Sequence, residues 1–155
     1  MGGGMAERFD LAVTFDYKLD EKYSTLLSER ELVRGSAFSF SINIVNKSAK
    51  ITPPITIVMQ TVEQGVVWTY PQNIEIPSLE PGASFRSIEY SFTPWVEGIC
   101  KMVLIAQELN ENEIWFTAPF AGTARRQSEN LFRVVNRQDL EIIGLLKEIL
   151  RKEKK

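Results

Sequence analysis

The sequence predicts an all-β fold, an antiparallel β-sandwich, followed by a C-terminal amphipathic α-helix. Apolar and polar residues alternate with a period of two in several short segments, which is the pattern of half-buried strands. Turn-forming residues separate these segments at intervals of roughly 8–12 residues. No helical segment alternates with them, which argues against a parallel α/β sheet. Only residues 136–155 change to a helical period.

The first two strands show the alternation most clearly. Residues 9–17 place large apolar and aromatic side chains on one face and small or polar ones on the other. Residues 38–44 repeat the pattern between Gly35 and the turn triplet Asn46-Lys47-Ser48. That triplet also fits the glycosylation pattern, but we interpret it as a plain turn. Further strands are expected at 55–62, 66–70, 74–76, 88–92, 99–109 and 114–117.

The pattern divides the chain into a sandwich at residues 6–118, a linker at 119–135 and a helix at 136–155. Within the linker, residues 122–127 could act as a hinge. Residues 18–34 join the first two strands by a longer route than a hairpin needs. A helical turn, a short extra strand and a mobile loop all remain open for that segment.

The N-terminus bears on the cellular location. Residues 1–5 have the sequence of an added leader, with Met5 as the native initiator. No basic segment followed by an apolar one comes after Met5, so we expect a cytoplasmic protein if Met5 is the native start. An extracellular or cell-surface location is expected if the chain is an excised domain. No stretch approaches the ~20 apolar residues that a membrane span needs.

Composition narrows the function classes. The chain has 155 residues, of which 44% are hydrophobic and 25% charged, with one Cys and no His. The absence of His removes the commonest general base and metal ligand, and one Cys cannot form a zinc thiolate cluster or an internal disulfide. Residues 51–120 carry two basic and eight acidic residues, so nucleic acid is not an expected partner. We expect no enzyme, no metal site and no cofactor.

The C-terminal helix carries one broad apolar stripe, formed by Ile142, Ile143, Leu145, Leu146, Ile149 and Leu150. Asn136 can cap its start, and Asp139 and the basic residues near its end suit the helix dipole. Glu148 and Lys152 form a supporting pair four residues apart. The stripe either packs back on the sandwich or projects and binds another chain, and the second arrangement is the one we favour.

Three segments resemble a known family. Arg34-Gly35 with the strand ending at Asn46 resembles the opening of immunoglobulin-like domains of the bacterial and archaeal cell-adhesion-related type, the CARDB-like domains. Leu79-Glu80-Pro81-Gly82 is similar to their turn between later strands, and residues 92–103 to their aromatic, glycine and alternating-strand element. The resemblance covers residues 9–117. It implies an immunoglobulin- or fibronectin-like sandwich that binds or spaces rather than catalyses, and family members are usually exported.

The residues that could act in catalysis or bind a metal can each be explained by a purely structural role. Cys100 lies in an apolar run and has no His as a base, so we expect a buried thiol. A glycosidase needs two facing carboxylates, but the acidic residues fall where exposed faces or turns are expected. These are Glu75, Glu80, Glu89, Glu97, Glu108, Glu111 and Glu113. Residues 110–113 could offer oxygen ligands to calcium, but they lack the spacing of the known loop and are expected to form a polar turn.

The aromatic residues leave a choice between core packing and ligand binding. Trp68, Trp95 and Trp115 could form a platform for sugar rings, but sandwich interiors take large aromatics, so core packing is expected. Apolar neighbours flank Trp115 on both sides, so one face of its strand needs a cover, for which the C-terminal helix is a candidate. Four basic residues precede the C-terminal helix and are expected to be solvated: Arg125, Arg126, Arg133 and Arg137. Alternatively, they could neutralise the acidic middle region or bind a phosphate-bearing partner.

The sequence therefore predicts a non-enzymatic protein-interaction or assembly module. The contact surface would be the helix stripe at Ile142, Leu145, Leu146, Ile149 and Leu150, and the partner another protein or a second copy of the chain. The alternative is a carbohydrate-binding module that uses Trp68, Trp95 or Trp115. That alternative predicts at least one solvent-exposed indole.

Overall fold

The computed structural model describes residues 7–18, 26–27, 30–108, 112–118 and 122–153. Across these ranges the chain forms twelve strands and one helix, α1 (Arg137–Glu153). The strands are β1 (Arg8–Lys18), β2 (Glu31–Val33), β3 (Phe38–Asn46), β4 (Ile55–Glu63), β5 (Val66–Thr69), β6 (Ile74–Ile76), β7 (Ser84–Arg86), β8 (Tyr90–Phe92), β9 (Gly98–Ala106), β10 (Glu113–Ala118), β11 (Gly122–Arg125) and β12 (Gln127–Val135).

The strands form two six-stranded sheets, which confirms the predicted all-β sandwich. The first sheet has the order β11-β10-β1-β3-β7, with β8 also pairing with β3. The second has the order β2-β12-β9-β4-β5, with β6 also pairing with β4. Most neighbours are antiparallel, as expected, but β1 pairs with β10 and β2 with β12 in parallel. The sheets are therefore mixed.

The core lies between the two sheets and follows the period-two pattern. Leu11 and Val13 of β1 are no more than 1% exposed, whereas Asp16 and Lys18 on the other face of the strand are exposed. Phe40, Ile42 and Ile44 of β3 and Cys100, Met102 and Leu104 of β9 are buried in the same way. Burial of these alternating side chains is the main stabilising term, at about 1.5–3 kcal/mol for each large side chain.

Asn46 joins two of the segments on which the family resemblance depends. Its side chain is fully buried, and its Nδ2 donates to the Lys50 carbonyl at 2.8 Å and the Leu79 carbonyl at 2.9 Å. Its Oδ1 accepts from the Ser48 N–H at 2.8 Å, which closes an Asx turn. The backbone N–H of Gly82 donates to the Asn46 carbonyl. The Asx turn confirms the interpretation of residues 46–48 as a turn.

The predicted linker at residues 119–135 is wrong. Residues 119–121 lie outside the described residues, but β11 and β12 occupy 122–125 and 127–135, so the sandwich extends to Val135. Arg126 (φ 69°) stands between these strands; it donates to the Ile114 carbonyl of the first sheet and accepts from the Ala106 N–H of the second. The segment expected to be a hinge is thus the point where the chain changes sheets.

Polar residues at inward positions concealed β12 from sequence analysis. Ser128 and Asn130 are 3% and 1% exposed, beside the buried Phe132 and Val134. Asn130 Nδ2 donates to the Met102 carbonyl and to Ser128 Oγ, so both side chains are satisfied inside the sandwich. The alternation was present, but half of its inward positions are not hydrophobic.

Other boundaries shift by a few residues. Within 18–34, Glu31–Val33 forms a short extra strand, and residues 19–25 and 28–29 lie outside the described part of the chain. The strand expected at 99–109 is Gly98–Ala106, and β7 was not expected. The helix is confirmed at Arg137–Glu153, and Asn136 caps it by accepting from the Gln138 N–H at 2.7 Å.

Candidate interaction surface

Helix α1 is attached to the sandwich by one side of its first two turns. Leu140 is 4% exposed and packs with Val33 of β2, against the partly buried Leu26, Leu27 and Val135. Gly144, one turn later, lies beside Leu26, since a Cβ at Gly144 would be 3.4 Å from Leu26 Cδ1. These contacts lie at the β2 edge of the second sheet.

The predicted stripe of α1 is exposed to solvent. All of its six side chains are between 41% and 61% exposed, and we refer to them as the α1 stripe: Ile142, Ile143, Leu145, Leu146, Ile149 and Leu150. At 3.6 residues per turn the stripe spans about 160° of the helix circumference. Leu140 and Gly144 lie on nearly the opposite side of the helix. The contact with the sandwich therefore directs the stripe away from it.

The polar side of α1 carries charges of both signs. Glu148 pairs with Arg151 and Lys152, each at 3.9 Å, which confirms the predicted pairing of Glu148 with Lys152. The side chains are more than half exposed, so each pair contributes only about 0.3–0.5 kcal/mol. The charges solvate the helix and flank the stripe on both sides.

Two of the three tryptophans do not lie in the core, so the expectation of core packing is wrong for them. Trp68 is 50% exposed and stacks edge-on against Tyr70, with 4.3 Å between ring centroids. Trp95 is 64% exposed, and its backbone N–H donates to the Glu63 carboxylate at 3.2 Å. Trp68 thus lies on β5, the backbone of Trp95 lies beside the end of β4, and the Trp95 ring lies near Gly35.

Trp115 is half-buried, but α1 does not cover it. The Arg8 guanidinium lies 4.1 Å from the centroid of the Trp115 ring, and Trp115 Nε1 donates to Glu113 at 3.0 Å. Its neighbours Ile114 and Phe116 are each 1% exposed and belong to the core. The proposed cover by the C-terminal helix is therefore replaced by a cation–π contact from β1.

Arg125 binds two of the acidic residues of the middle region. Its guanidinium donates to both oxygens of Glu108 at 3.2 Å and lies 4.0 Å from Glu113. Burial raises the pKa of Glu108, but the hydrogen bonds from Arg125 and from the Ile114 N–H outweigh it and hold that pKa below its usual value. Among the alternatives for the basic run, Arg125 thus neutralises acidic residues.

Cys100 is fully buried, as predicted. Burial raises the pKa of its thiol to about 12, and the Glu63 carboxylate adds to the shift. Such a thiol stays protonated at neutral pH and is a poor nucleophile.

In the predicted polar turn, Asn110 and Glu111 lie outside the described residues. Elsewhere in the described ranges, no group of three or more His, Cys, Asp or Glu side chains is placed to hold a metal ion. No helix in this part of the chain is long and apolar enough to cross a membrane.

Sequence reasoning missed an exposed apolar pair on the outer face of the second sheet. Ile99 of β9 is 57% exposed and Leu131 of β12 is 45% exposed, and both line a groove of about 550 Å³. Arg30 and Arg133 also line this groove. The alternation of β9 could have indicated that Ile99 faces outward. The outward position of Leu131 could be predicted only once β12 had been recognised as a strand.

Two six-stranded sheets packed face to face define an immunoglobulin-like β-sandwich. No family model matches the chain, and no curated protein matches it in sequence. The crystal structure of the CARDB domain of a Pyrococcus furiosus protein is similar, with a TM-score of 0.50 and 15% identity over 86% of this chain and 95% of that one. This likeness confirms the CARDB-like resemblance for the fold.

Two further solved structures match less well. The solution structure of the same Pyrococcus furiosus domain has a TM-score of 0.48 and 16% identity, over 83% of this chain and 97% of that one. The crystal structure of an ApaA protein from Bordetella pertussis has a TM-score of 0.47 and 15% identity, over the same shares of the two chains.

Proposed function

We propose that this protein is a non-enzymatic interaction module that associates with another protein, or with itself, through the α1 stripe. The observation that supports this is the placement of six large apolar side chains, each 41–61% exposed, on the side of α1 that faces away from the sandwich. Contiguous apolar area of this kind on a folded domain marks interaction surfaces.

The free energy gained by burying the stripe is comparable to the cost of association. Completing the burial of six half-exposed Leu and Ile side chains contributes roughly 5–9 kcal/mol per chain. The cost of association is of the same order, about 4–15 kcal/mol. Since Leu140 already fixes the opposite side of α1, the stripe cannot turn onto the sandwich without losing that buried contact.

The chemistry of the remaining groups supports a non-enzymatic role. Cys100 is buried and protonated, and Glu108 and Glu113 face the same Arg125 guanidinium rather than an open cleft. The exposed carboxylates of β-strands and turns serve as a solvated surface.

The test compares retention of binding partners by two forms of the chain. One is the full chain, and the other carries Ile142→Gln, Leu146→Gln and Ile149→Gln, which remove the apolar stripe but keep good helix formers. We expect the full chain to retain a second, differently tagged copy or a partner protein, and the triple variant to lose it. Equal retention by both forms would rule out the stripe as the contact surface.

A second candidate, a carbohydrate-binding module, is favoured by one observation: Trp68 and Trp95 are 50% and 64% exposed. Exposed indoles stack on sugar rings, and Glu63 supplies a neighbouring hydrogen-bond acceptor. If this function is present, soluble polysaccharides will shift the tryptophan fluorescence of the full chain. The shift should disappear in Trp68→Ala or Trp95→Ala; an unchanged spectrum with every glycan tested would eliminate this candidate.

A further inference from the structure

We propose that β5, the edge strand of the second sheet, binds an extended peptide segment of another protein, with an apolar centre and Lys or Arg at its ends. This surface is separate from the α1 stripe, because α1 contacts β2, which lies at the opposite edge of the same sheet. The free backbone groups of β5, its exposed side chains and the surrounding carboxylates each support the proposal.

The turn between β4 and β5 determines which backbone groups of β5 are already used. Residues 64–65 have φ angles of 46° and 80°, as in a two-residue hairpin turn. Glu63 and Val66 are the paired residues that close this turn. Further along the hairpin, the Tyr70 N–H donates to the Met59 carbonyl at 3.0 Å. Because hydrogen bonds alternate along an antiparallel pair, every second residue of β5 bonds to β4, beginning with Val66.

Val67 and Thr69 are the residues between, so their backbone N–H and C=O groups point away from β4. β5 ends the second sheet, and no other strand in the described ranges pairs with it on that side. The four free groups form the template to which an added strand binds.

The other sheet edges are protected in ways that β5 is not. α1 packs beside β2 through Leu140 and Val33, and β11 carries Arg125, which pairs with Glu108. β7 and β8 have only three residues each. β5 contains neither a charged residue nor a proline, and all four of its residues are exposed. An uncharged edge of this kind favours pairing with another strand.

The side chains of β5 indicate that the partner is an extended strand. Val66 and Trp68, 70% and 50% exposed, point to one face of the sheet, and Val67, 54% exposed, points to the other. A helix or a flat surface would cover only one of these faces. A neighbouring strand contacts side chains on both faces and also bonds to the free backbone groups. Apolar or β-branched residues at the centre of the peptide match these side chains.

The charges around β5 favour basic residues at the ends of the peptide. Residues 51–85, which include β4, β5 and β6, contain no Lys or Arg. Glu63 lies at the turn end of β5, and Glu75 lies on β6, which pairs with β4 beyond the other end of β5. Within the described part of the chain these carboxylates accept hydrogen bonds from neutral groups, the Trp95 N–H and the Thr56 hydroxyl, and form no ion pair. Lys or Arg side chains of a bound peptide would complement both.

The charge preference is tested with a fluorescein-labelled peptide, Lys-Lys-Val-Thr-Val-Tyr-Val-Lys-Lys, whose binding to the full chain is followed by fluorescence anisotropy. We expect saturable binding, and binding about tenfold weaker when Glu replaces every Lys of the peptide. The Glu63→Gln, Glu75→Gln variant should reduce this difference. No saturable binding of the basic peptide, or equal binding of the two peptides by the unchanged chain, would overturn the proposal.

The role of the backbone is tested with Val67→Pro. This substitution removes an N–H that points away from β4, and proline is accepted at such positions of an edge strand. It should weaken binding of the basic peptide about tenfold, because one peptide carbonyl loses its donor. The matched control is Val67→Thr, which keeps both the N–H and a β-branched side chain and should bind almost as well as the unchanged chain. Equal binding by the two variants would contradict pairing at this edge.

Amide hydrogen exchange tests the same contact in the unchanged chain. Without peptide, the amides of Val66 and Trp68 should exchange slowly and those of Val67 and Thr69 fast. A saturating amount of the basic peptide should slow the second pair. Unchanged exchange of Val67 and Thr69 would mean that the peptide binds elsewhere.

Two other occupants are distinguished by the same measurements. If the exchange of Val67 and Thr69 slows with rising protein concentration in the absence of peptide, a second copy of the chain occupies the edge and the proposal is wrong. If the variant with three Gln substitutions in the α1 stripe loses peptide binding, the peptide binds α1 and the proposal is again wrong. We expect this variant to bind the peptide as the unchanged chain does, so failure of the proposed function leaves this proposal intact.

Discussion

Asn46 shows how one side chain can fix the path of two loops. It ends β3 and satisfies the carbonyls of Lys50 and Leu79, which come from connections far apart in the sequence. A buried carbonyl without a partner costs about 1–3 kcal/mol, so this amide stabilises both connections. The alternating strand predicted that the chain turns here, but not that the turn would be tied to residues 79–83.

Replacing Asn46 should therefore destabilise the fold. We expect Asn46→Ala to lower the free energy of unfolding by about 1–3 kcal/mol, because the Lys50 carbonyl and the Ser48 N–H lose their partner and the Leu79 carbonyl keeps only the Thr52 N–H. Urea unfolding followed by circular dichroism measures the change. Asn43→Ala is the matched control on the same strand; its amide bonds to Asp16 at the surface, so its cost should stay below about 1 kcal/mol. Equal costs would refute the special role of Asn46.

Glu108 makes the stability of the fold depend on pH. Its folded-state pKa lies below the ordinary value of 4.5, so its contribution is present above pH 4.5 and is lost as the pH falls through the lower folded value. Glu108→Gln should therefore reduce stability at pH 7 and flatten its decline below pH 4.5. Thermal unfolding between pH 3 and pH 7 measures this. An unchanged acid slope in the variant would show that the contact with Arg125 contributes nothing.

At the scale of elements, β12 and α1 are consecutive yet differ in how well the sequence predicted them. The helix was predictable because its apolar period, N-cap and charges all agree, and Asn136 caps it as expected. The strand was not, because Ser128 and Asn130 fill inward positions and bond to each other. A pattern of hydrophobicity cannot indicate a buried position that is polar and satisfied.

The attachment of α1 should depend on Leu140. We expect Leu140→Ala to cost about 2–3 kcal/mol, because it leaves a cavity beside Val33. Amide hydrogen exchange should then show faster exchange in residues 137–144. Unchanged exchange would mean that the first turns of α1 do not need this contact.

Gly144 offers a change in the opposite direction. Gly144→Ala should stabilise α1 by about 0.5–1 kcal/mol, because Ala has a higher helix propensity. The added Cβ meets only the end of the Leu26 side chain, at an ordinary contact distance of 3.4 Å. The melting temperature of the full chain is the measurement, and a decrease would mean that the close approach of α1 to Leu26 is essential.

At the scale of the whole molecule, local pattern predicted the sandwich but not which strands are neighbours. The β1–β10 and β2–β12 pairs join segments that are distant in the sequence, and both are parallel. No turn connects such strands directly, so neither their register nor their direction can be read from the residues between them. The exposure of Trp68 and Trp95 could not be predicted for the same reason, because it depends on which strands and loops are neighbours in the folded chain.

The division of the molecule into a closed sandwich and an open helix face is the central claim. Large apolar side chains fill the space between the sheets, whereas the α1 stripe has no cover within the described part of the chain. The most direct measurement is sedimentation velocity over a range of concentrations, for the full chain and for the Ile142→Gln, Leu146→Gln, Ile149→Gln variant. We predict an assembly of the full chain that dissociates on dilution, and a monomer for the variant at every concentration. Identical sedimentation of the two proteins would contradict self-association through the α1 stripe.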